Sequence, residues 1–209
     1  SRATTSAADG VGFSAAGFFF PYHVGVWEEL IDIGVMRSET PCAGASAGSL
    51  VAVLHACGMT PEDGKRILSD VLADCRKNGV IGRVGGVLER ILRQELPSDA
   101  HERCSRGNLF ISVSSPSFEF GVEEGATFSL EGEIISEFES FDDLIGALLA
   151  SCHIPMYCGW PARRYRGKWC VDGGWANLTP TPQANGCIRV CAFPLLDAWH
   201  KAKPGDGKE

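Results

Sequence analysis

A nucleophilic serine is the first chemistry that the sequence suggests, at Gly44-Ala45-Ser46-Ala47-Gly48. These residues match the pattern G-x-S-x-G, in which small neighbours let a strand turn sharply into a helix and present a strained, exposed serine. A predicted strand precedes the motif and a predicted apolar helix follows it, so amides at the helix N-terminus would stabilise an oxyanion beside Ser46. We interpret Ser46 as a candidate nucleophile. The alternative is a turn of small residues without a catalytic role.

A carboxylate that could accept a proton occurs in Val171-Asp172-Gly173-Gly174. Asp172 follows a short predicted strand, and the paired glycines would let another backbone approach closely. Taken alone, this segment is also consistent with an ordinary turn.

The five histidines are the other candidate bases, and most of their positions favour structural or solvated roles. They are His23 and His55 in predicted helices, His101 in a charged segment, His153 before an Ile-Pro pair and His200 in a polar tail. The order Ser46, Asp172, His200 would fit the serine, acid, histidine order of α/β-hydrolases, and we keep it as a minor alternative.

The elements that must position these residues alternate strands with helices. Apolar runs predict strands at 11–14, 40–43, 109–113, 169–171 and 187–193. N-caps at Thr60 and Ser140, glycine stops and helical spacing predict helices at 21–33, 47–57, 60–77, 84–95 and 140–152. The polar stretch 118–139 is predicted to be irregular or a hairpin. Repeated alternation of this kind favours an α/β fold whose mostly parallel sheet carries helices on both faces.

Length and composition favour one globular domain. The chain has 209 residues, of which 44% are hydrophobic, and a formal net charge of −7. We predict a disordered leader at 1–9, a domain at 10–200 and a polar tail at 201–209. An acidic chain without a basic block lacks the electrostatic footprint of a nucleic-acid binder. No apolar run approaches the ~20 residues that a membrane-spanning helix needs.

The cysteines indicate neither a disulfide framework nor a metal site. There are nine of them, an odd number, and none forms a Cys-x-x-Cys pair. Scattered cysteines of this kind are typical of reduced structural thiols. We therefore predict no metal, and an intracellular, reducing compartment rather than secretion.

Four blocks, in order along the chain, carry a resemblance to a known family. They are 13–17 with 22–26, then 44–48, then Ala150-Ser151-Cys152-His153-Ile154-Pro155, and last Asp172-Gly173-Gly174 with Asn177 and Pro180. In these blocks the chain resembles the patatin-like phospholipases, and within them it looks nearest to the animal adipose triglyceride lipase and adiponutrin group. The resemblance covers nearly the whole chain from Gly12 to Phe193.

The resemblance implies a three-layer α/β/α sandwich with a nucleophile elbow and a catalytic dyad, in which Ser46 attacks and Asp172 accepts its proton. It implies a lipid acyl-ester hydrolase that works through an acyl-enzyme intermediate, without metal or organic cofactor. Gly44, Gly48, Gly173 and Gly174 would support the two motifs. The backbone amides of Ala15, Ala16 and Gly17 would form the oxyanion hole.

One departure from the family pattern concerns that hole. The family has a G-x-G-x-x-G loop after the first strand, and the matching positions here are Ala15, Gly17 and Phe20. A misplaced oxyanion donor costs ~10²-fold or more in rate. Two rival hypotheses therefore stand beside the hydrolase: a catalytically weakened lipid-surface binding module, and an acyltransferase that uses the same serine.

The expected partners are a lipid substrate and the surface of a membrane or lipid droplet, not nucleic acid. Phe18, Phe19 and Phe20 could line an acyl entrance or pack in the core. The basic cluster of Arg163, Arg164, Arg166 and Lys168 could hold lipid phosphate, although a solvated face is the default. The compartment is expected to be cytoplasmic or plastid, with peripheral membrane contact.

Overall fold

The computed structural model describes residues 7–121 and 125–193. Within these ranges the α-helices are Phe20–Asp32 (α1), Ala47–Ala56 (α2), Pro61–Asn78 (α3), Val84–Glu95 (α4), Ala100–Cys104 (α5) and Phe141–Ser151 (α6). The strands are Gly10–Phe13 (β1), Cys42–Ala45 (β2), Leu109–Gly121 (β3), Gly125–Ile135 (β4), Arg163–Tyr165 (β5), Lys168–Cys170 (β6) and Cys187–Val190 (β7). The predicted tail, His200 and residues 1–6 of the predicted leader lie outside the described residues.

The central sheet has the strand order β4, β3, β2, β1, β7. Strands β7, β1, β2 and β3 run parallel, and β4 pairs antiparallel with β3 at one edge. Helix α2 packs against the three central strands, and α6 packs against β3. The predicted α/β class, with a mostly parallel sheet surrounded by helices, is confirmed.

The parallel strands bring the two motifs that follow β1 and β2 to one edge of the sheet. Every residue of both strands is buried, as expected for strands that are covered on both faces. Their register pairs Phe13 with Gly44. Segments that leave the carboxyl ends of neighbouring parallel strands meet at the same edge, where ligands of open α/β sheets bind.

Two helices begin at side-chain caps that the sequence predicts. The Thr60 side chain accepts a hydrogen bond from the Asp63 amide, and the Asp63 carboxylate accepts one from the Thr60 amide, which completes a capping box for α3. The Ser140 hydroxyl accepts a hydrogen bond from the Asp143 amide at the start of α6. Helices α3 and α4 pack against each other.

Several segments differ from the sequence prediction: helix α5 is not predicted, and β7 ends at Val190 rather than at Phe193. The strand predicted at 40–43 lies at 42–45, because Thr40 closes a turn with Arg37 through two hydrogen bonds of 2.9 Å. The strand predicted at 109–113 continues to Gly121 and pairs with β4, so the stretch predicted to be irregular or a hairpin takes the hairpin form. The strand predicted at 169–171 belongs instead to a separate two-stranded sheet of β5 and β6. Only Val171 reaches the main sheet, through a bridge to Ser114.

Candidate active site

The serine motif forms a sharp turn between β2 and α2. Ser46 has φ 53° and ψ −126°, a backbone conformation that residues other than glycine rarely adopt. The flanking glycines are required sterically: a Cβ on Gly44 would lie 2.3 Å from the Gly48 carbonyl, and one on Gly48 would lie 2.3 Å from a carbonyl oxygen at the end of β1. The serine is thus strained, as predicted. The residue as a whole is only 4% exposed, so the predicted exposed serine is instead a buried residue at the cavity.

Neighbouring serines hold the turn in place. The Ser46 amide donates a hydrogen bond of 2.9 Å to the Ser151 hydroxyl, which donates one of 2.7 Å to the Ser112 carbonyl of β3. The Ser49 hydroxyl donates a 2.6 Å bond to the Ser46 carbonyl. Since Ser49, Ser112 and Ser151 are fully buried, these bonds are made without competition from solvent. The strained turn is therefore tied to both β3 and the end of α6.

Asp172 is placed by backbone contacts to β3 and to the segment after α6. Its amide donates a 2.8 Å hydrogen bond to the His153 carbonyl. Its Oδ1 accepts one of 2.9 Å from the Gly174 amide. A Cβ on Gly173 would lie 1.9 Å from the Ser112 carbonyl oxygen, and one on Gly174 would lie 2.4 Å from the Ala15 Cβ. The paired glycines thus allow the close backbone approach that the sequence predicts.

The Asp172 carboxyl has a perturbed acidity. Asp172 is 3% exposed, and this burial raises the pKa of its carboxyl to about 6. The nearby Ser46 side chain and the hydrogen bond from the Gly174 amide act in the opposite direction and lower the pKa. Among the described residues, the Asp172 Oδ2 has no hydrogen-bond partner of ordinary geometry. The Ser46 hydroxyl is nevertheless near enough to favour the ionised carboxylate. The fold therefore brings the two predicted residues together.

The loop after β1 offers fewer free amides than the sequence predicts. The Ala15 amide donates a 2.9 Å hydrogen bond to the Leu178 carbonyl, so it is already paired. Ala15 also stays outside the left-handed region of backbone conformation, whereas Gly17 has φ +53°. A short 3-10 turn at Gly17–Phe19 follows, and its first amides have no partner within the turn. The candidate oxyanion donors that remain in this loop are the backbone amides of Ala16 and Gly17.

An apolar cavity of about 260 Å³ adjoins Ser46. Its walls are the 3-10 turn after β1, the start of α2, one face each of α3 and α4, and the segment after α6. The lining includes Phe18, Phe20, Leu50, Ile67, Leu68, Val71, Val84, Leu88, Cys152, Ile154, Tyr157 and Cys158. Of the three consecutive phenylalanines, Phe20 is buried, while Phe18 and Phe19 are 50% and 60% exposed. The cavity suits an aliphatic chain better than a polar ligand.

None of the histidines in the described ranges bonds to the side chain of Ser46 or Asp172. The His23 Nε2 lies 2.8 Å from the Ser14 carbonyl oxygen, and burial lowers the pKa of His23 to about 4. His55 Nδ1 accepts a hydrogen bond from the Trp27 indole, and burial lowers its pKa too. His153 contacts Asp172 only through its backbone carbonyl.

The basic cluster is engaged in ion pairs and local contacts. Arg163 pairs with Glu89, Arg166 with Asp143 and Lys168 with Glu133, and Arg164 stacks over a tryptophan ring. These contacts match the solvated face expected by default.

Three properties concern the described ranges as a whole. Residues 7–121 and 125–193 contain no group of three or more histidine, cysteine, aspartate or glutamate side chains placed to hold a metal ion. The helices in these ranges are all too short or too polar to cross a bilayer. All nine cysteines fall inside the ranges and are free thiols.

The sequence predicts no role for Ser112 and Ser151, which support the turn at Ser46, or for Cys152, which lines the cavity. Buried serines of this kind carry no local signal, because their partners are distant carbonyls and amides. Ser151 and Cys152 do fall inside a block that supports the family resemblance, and that block is the one clue the sequence holds.

Comparison with known proteins identifies relatives over most of the chain. The family model for patatin-like phospholipase matches residues 13–185. A human omega-hydroxyceramide transacylase is 30% identical over 190 residues, or 88% of this chain and 34% of that protein. A human 1-acylglycerol-3-phosphate O-acyltransferase is 32% identical over 87% of this chain and 37% of its own length. Human patatin-like phospholipase domain-containing protein 4 is 29% identical over 87% of this chain and 70% of its own. The chain thus spans about a third of the length of the first two.

Proposed function

Because the chain belongs to the patatin-like phospholipase family, we propose that it cleaves acyl esters of lipids, with Ser46 as nucleophile and Asp172 as proton acceptor. The observation that carries the proposal is the pairing of a strained serine with a buried carboxylate beside an apolar cavity. The serine supplies the attacking oxygen, the carboxylate supplies the base, and the cavity provides a place for the acyl chain.

The proposed reaction has two halves. Ser46 Oγ attacks the ester carbonyl carbon while its proton passes to the Asp172 carboxylate. The bond to the alcohol then breaks, and the alcohol leaves with that proton. In the second half, water attacks the acyl-serine ester and gives a proton to Asp172, which returns it to Ser46 Oγ as the fatty acid departs. A carboxyl pKa of about 6 keeps Asp172 ionised at neutral pH and still able to hold the proton briefly.

The oxyanion of each tetrahedral intermediate would be stabilised by backbone amides. We assign this role to Ala16 and Gly17 in the loop after β1 and to Ala47, which follows the nucleophile at the N-terminus of α2. These three amides lack partners among the described residues. Ala15 is left out of the hole because its amide is paired with Leu178.

The test is reaction with a fluorophosphonate probe, together with hydrolysis of a short soluble ester. Ser46→Ala and Asp172→Asn should each abolish hydrolysis, and Ser46→Ala should also abolish labelling. Ser38→Ala, at an exposed serine, is the matched control and should change neither. A folded protein that neither labels nor hydrolyses would instead support the lipid-surface binding module.

Replacement of the histidines tests the minor alternative, a triad of Ser46, Asp172 and His200. Replacing His23, His55, His101, His153 and His200 one at a time should leave substantial hydrolysis in every variant that folds. If His200→Ala eliminated both hydrolysis and labelling while the protein stayed folded, the dyad assignment would be wrong.

Acyl transfer is the second candidate function, and the names of two relatives favour it: a transacylase and an acyltransferase. The acyl-enzyme would form in the same way, and a lipid hydroxyl would replace water in the second half. Adding a lysolipid to the protein with an acyl donor separates the two reactions. Labelled acyl chain on the lysolipid indicates transfer, and free fatty acid alone indicates hydrolysis.

A further inference from the structure

Large apolar side chains lie exposed on two adjoining loops beside the cavity. Ile81, between α3 and α4, is 74% exposed, and Met156 and Trp160, between α6 and β5, are 62% and 77% exposed. Phe18 and Tyr157 line the cavity itself and are still 50% and 46% exposed. We call these five residues the rim.

Backbone hydrogen bonds join the two loops of the rim. The Gly82 amide donates a bond of 2.7 Å to the Met156 carbonyl, and the Val84 amide donates one of 3.1 Å to the Tyr157 carbonyl. Met156 has φ +74°, which a side chain adopts only at a conformational cost, and its amide bonds to the Gly159 carbonyl at 2.9 Å. The loops are therefore held together in a geometry that keeps Ile81, Met156 and Trp160 out of the core.

Exposure of the large apolar side chains of the rim to water is unfavourable, and such side chains mark a surface that contacts something apolar. The rim is continuous with the cavity through Phe18 and Tyr157, so a chain that leaves a lipid phase at the rim would enter the cavity without crossing water. Its tryptophan and tyrosine are residue types that favour the boundary between lipid headgroups and acyl chains.

Charge decides which lipid surface fits. The cations nearest the rim in sequence, Arg83 and Arg163, are paired with Asp74 and Glu89. The chain as a whole carries a formal charge of −7, which opposes approach to an anionic membrane. Neither these paired cations nor the net charge attracts an anionic surface, so the apolar side chains must supply the affinity for lipid.

We propose that the rim inserts into the surface of neutral or zwitterionic lipid aggregates and opens the cavity directly into their acyl layer. This inference rests on the proposed function only in treating the cavity as the place of the acyl chain. Its test therefore uses Ser46→Ala protein, in which binding is measured without hydrolysis.

The experiment is flotation of the full chain with phosphatidylcholine vesicles. The combined replacement Ile81→Ser, Met156→Ser and Trp160→Ser should lower the bound fraction, with the partition coefficient reduced about tenfold or more. The reason is that each of the three replacements removes apolar surface that lipid would cover. The matched control is Trp169→Ser, another exposed tryptophan (51%) outside the cavity lining, which should change partitioning less than about twofold. Melting temperatures of both variants check folding.

A second variant keeps the proposal testable if the triple replacement unfolds. Brominated acyl chains quench the fluorescence of an indole that enters the lipid. They should therefore quench the tryptophan fluorescence of the parent protein more than that of the Trp160→Phe variant. Binding to phosphatidylcholine should persist when salt is raised from about 0.1 M to about 1 M, since screening weakens only electrostatic attraction.

Three outcomes would overturn the proposal. Equal binding by parent and triple variant in folded form would remove the rim from the interface. Binding that requires anionic lipid and disappears in salt would assign it to basic groups. Absence of lipid binding together with a dimer that the triple replacement dissociates would make the rim a contact between two copies of the chain.

Discussion

At the scale of single residues, the candidate site depends on one unfavourable conformation and one unfavourable charge. Ser46 is held at positive φ, and Asp172 is ionised in a place where burial raises the pKa of its carboxyl to about 6. Glycines at 44, 48, 173 and 174 let the backbones around both residues approach to distances that a Cβ would block. Strain and perturbed pKa values of this kind concentrate at functional sites.

The raised pKa of Asp172 predicts how hydrolysis depends on pH. The carboxylate must be ionised to accept the serine proton, so kcat/KM for a short soluble ester should rise with pH and level off above about 6. The measurement is a rate profile over the range in which the protein stays folded. A profile flat through that region, or one whose midpoint moves when a histidine is replaced, would contradict the assignment of Asp172 as base.

Ser151 is predicted to be a positioning residue for the nucleophile turn. Ser151→Ala would leave the Ser46 amide and the Ser112 carbonyl without their buried partner, at a cost of about 1–3 kcal/mol. The probe-labelling rate and kcat should fall, with KM and the pH midpoint little changed, because the turn shifts while the base and cavity remain.

The control for Ser151 is Ser105, whose hydroxyl likewise joins an amide to a carbonyl, accepting from Phe138 at 3.0 Å and donating to His101 at 2.8 Å. Ser105→Ala should lower the melting temperature without slowing labelling. If both variants slow labelling in proportion to their loss of stability, the role of Ser151 is only structural.

At the scale of elements, the turn after β1 is the part whose conformation matters most. Two backbone hydrogen bonds fix where it starts, since the Ser14 amide bonds to the Val190 carbonyl and the Ala15 amide bonds to the Leu178 carbonyl. Beyond them, Gly17 at φ +53° directs the short 3-10 turn that leads into α1. The position at which the family pattern has glycine and this chain has Ala15 does not need a positive φ.

Gly17→Ala is predicted to slow acylation. A Cβ on Gly17 meets nothing within 4 Å, so the only penalty is the left-handed backbone, about 1–2 kcal/mol. Gly34 provides a matched control, with φ +73° and equally open space at the end of α1. Both variants should lose similar stability, but only Gly17→Ala should lower the labelling rate.

Ala15→Gly completes that comparison, and it should not lower the labelling rate. Glycine can retain the present backbone conformation and the bond to Leu178. A clear loss of rate at unchanged stability would show that the Ala15 methyl, which packs near Gly174, holds the loop in its productive form.

At the scale of the whole molecule, stability depends on a core that encloses neutral histidines. Burial lowers the pKa of His23 from 6.5 to about 4, so between these values the unfolded chain binds a proton that the folded protein does not. The free energy of unfolding should therefore fall as pH drops from about 6.5 towards about 4. Asp172 acts in the opposite sense, because its raised pKa favours the protonated folded state at low pH.

The check is the melting temperature as a function of pH for the wild type and three variants. His23→Gln should flatten the loss on acidification, provided that it folds, and Asp172→Asn should steepen it by removing the opposing contribution. Ser38→Ala, at an exposed site without a titrating side chain, should follow wild type. A His23→Gln protein with the wild-type slope would show that other groups govern acid stability.

The sequence by itself determined the features that local chemistry controls. Helix α4 was predicted with its observed bounds, the caps at Thr60 and Ser140 were predicted correctly, and the α/β class follows from the alternation of elements. The motif glycines were predicted to permit close approach, and the clashes that a Cβ would meet at these positions support that reading. These features depend on residues a few positions apart, so a pattern along the chain reveals them.

The tertiary structure decided what depends on contacts between distant segments. It paired the Ala15 amide with Leu178, buried Ser46 beneath a cavity walled by α3 and α4, and moved the predicted strand at 169–171 into a separate hairpin. It also joined Ser46, Ser151 and Ser112 into one chain of hydrogen bonds. No periodicity records such pairings, because the energy of a buried hydrogen bond depends on which polar group the fold brings opposite it, and that partner lies elsewhere in the sequence.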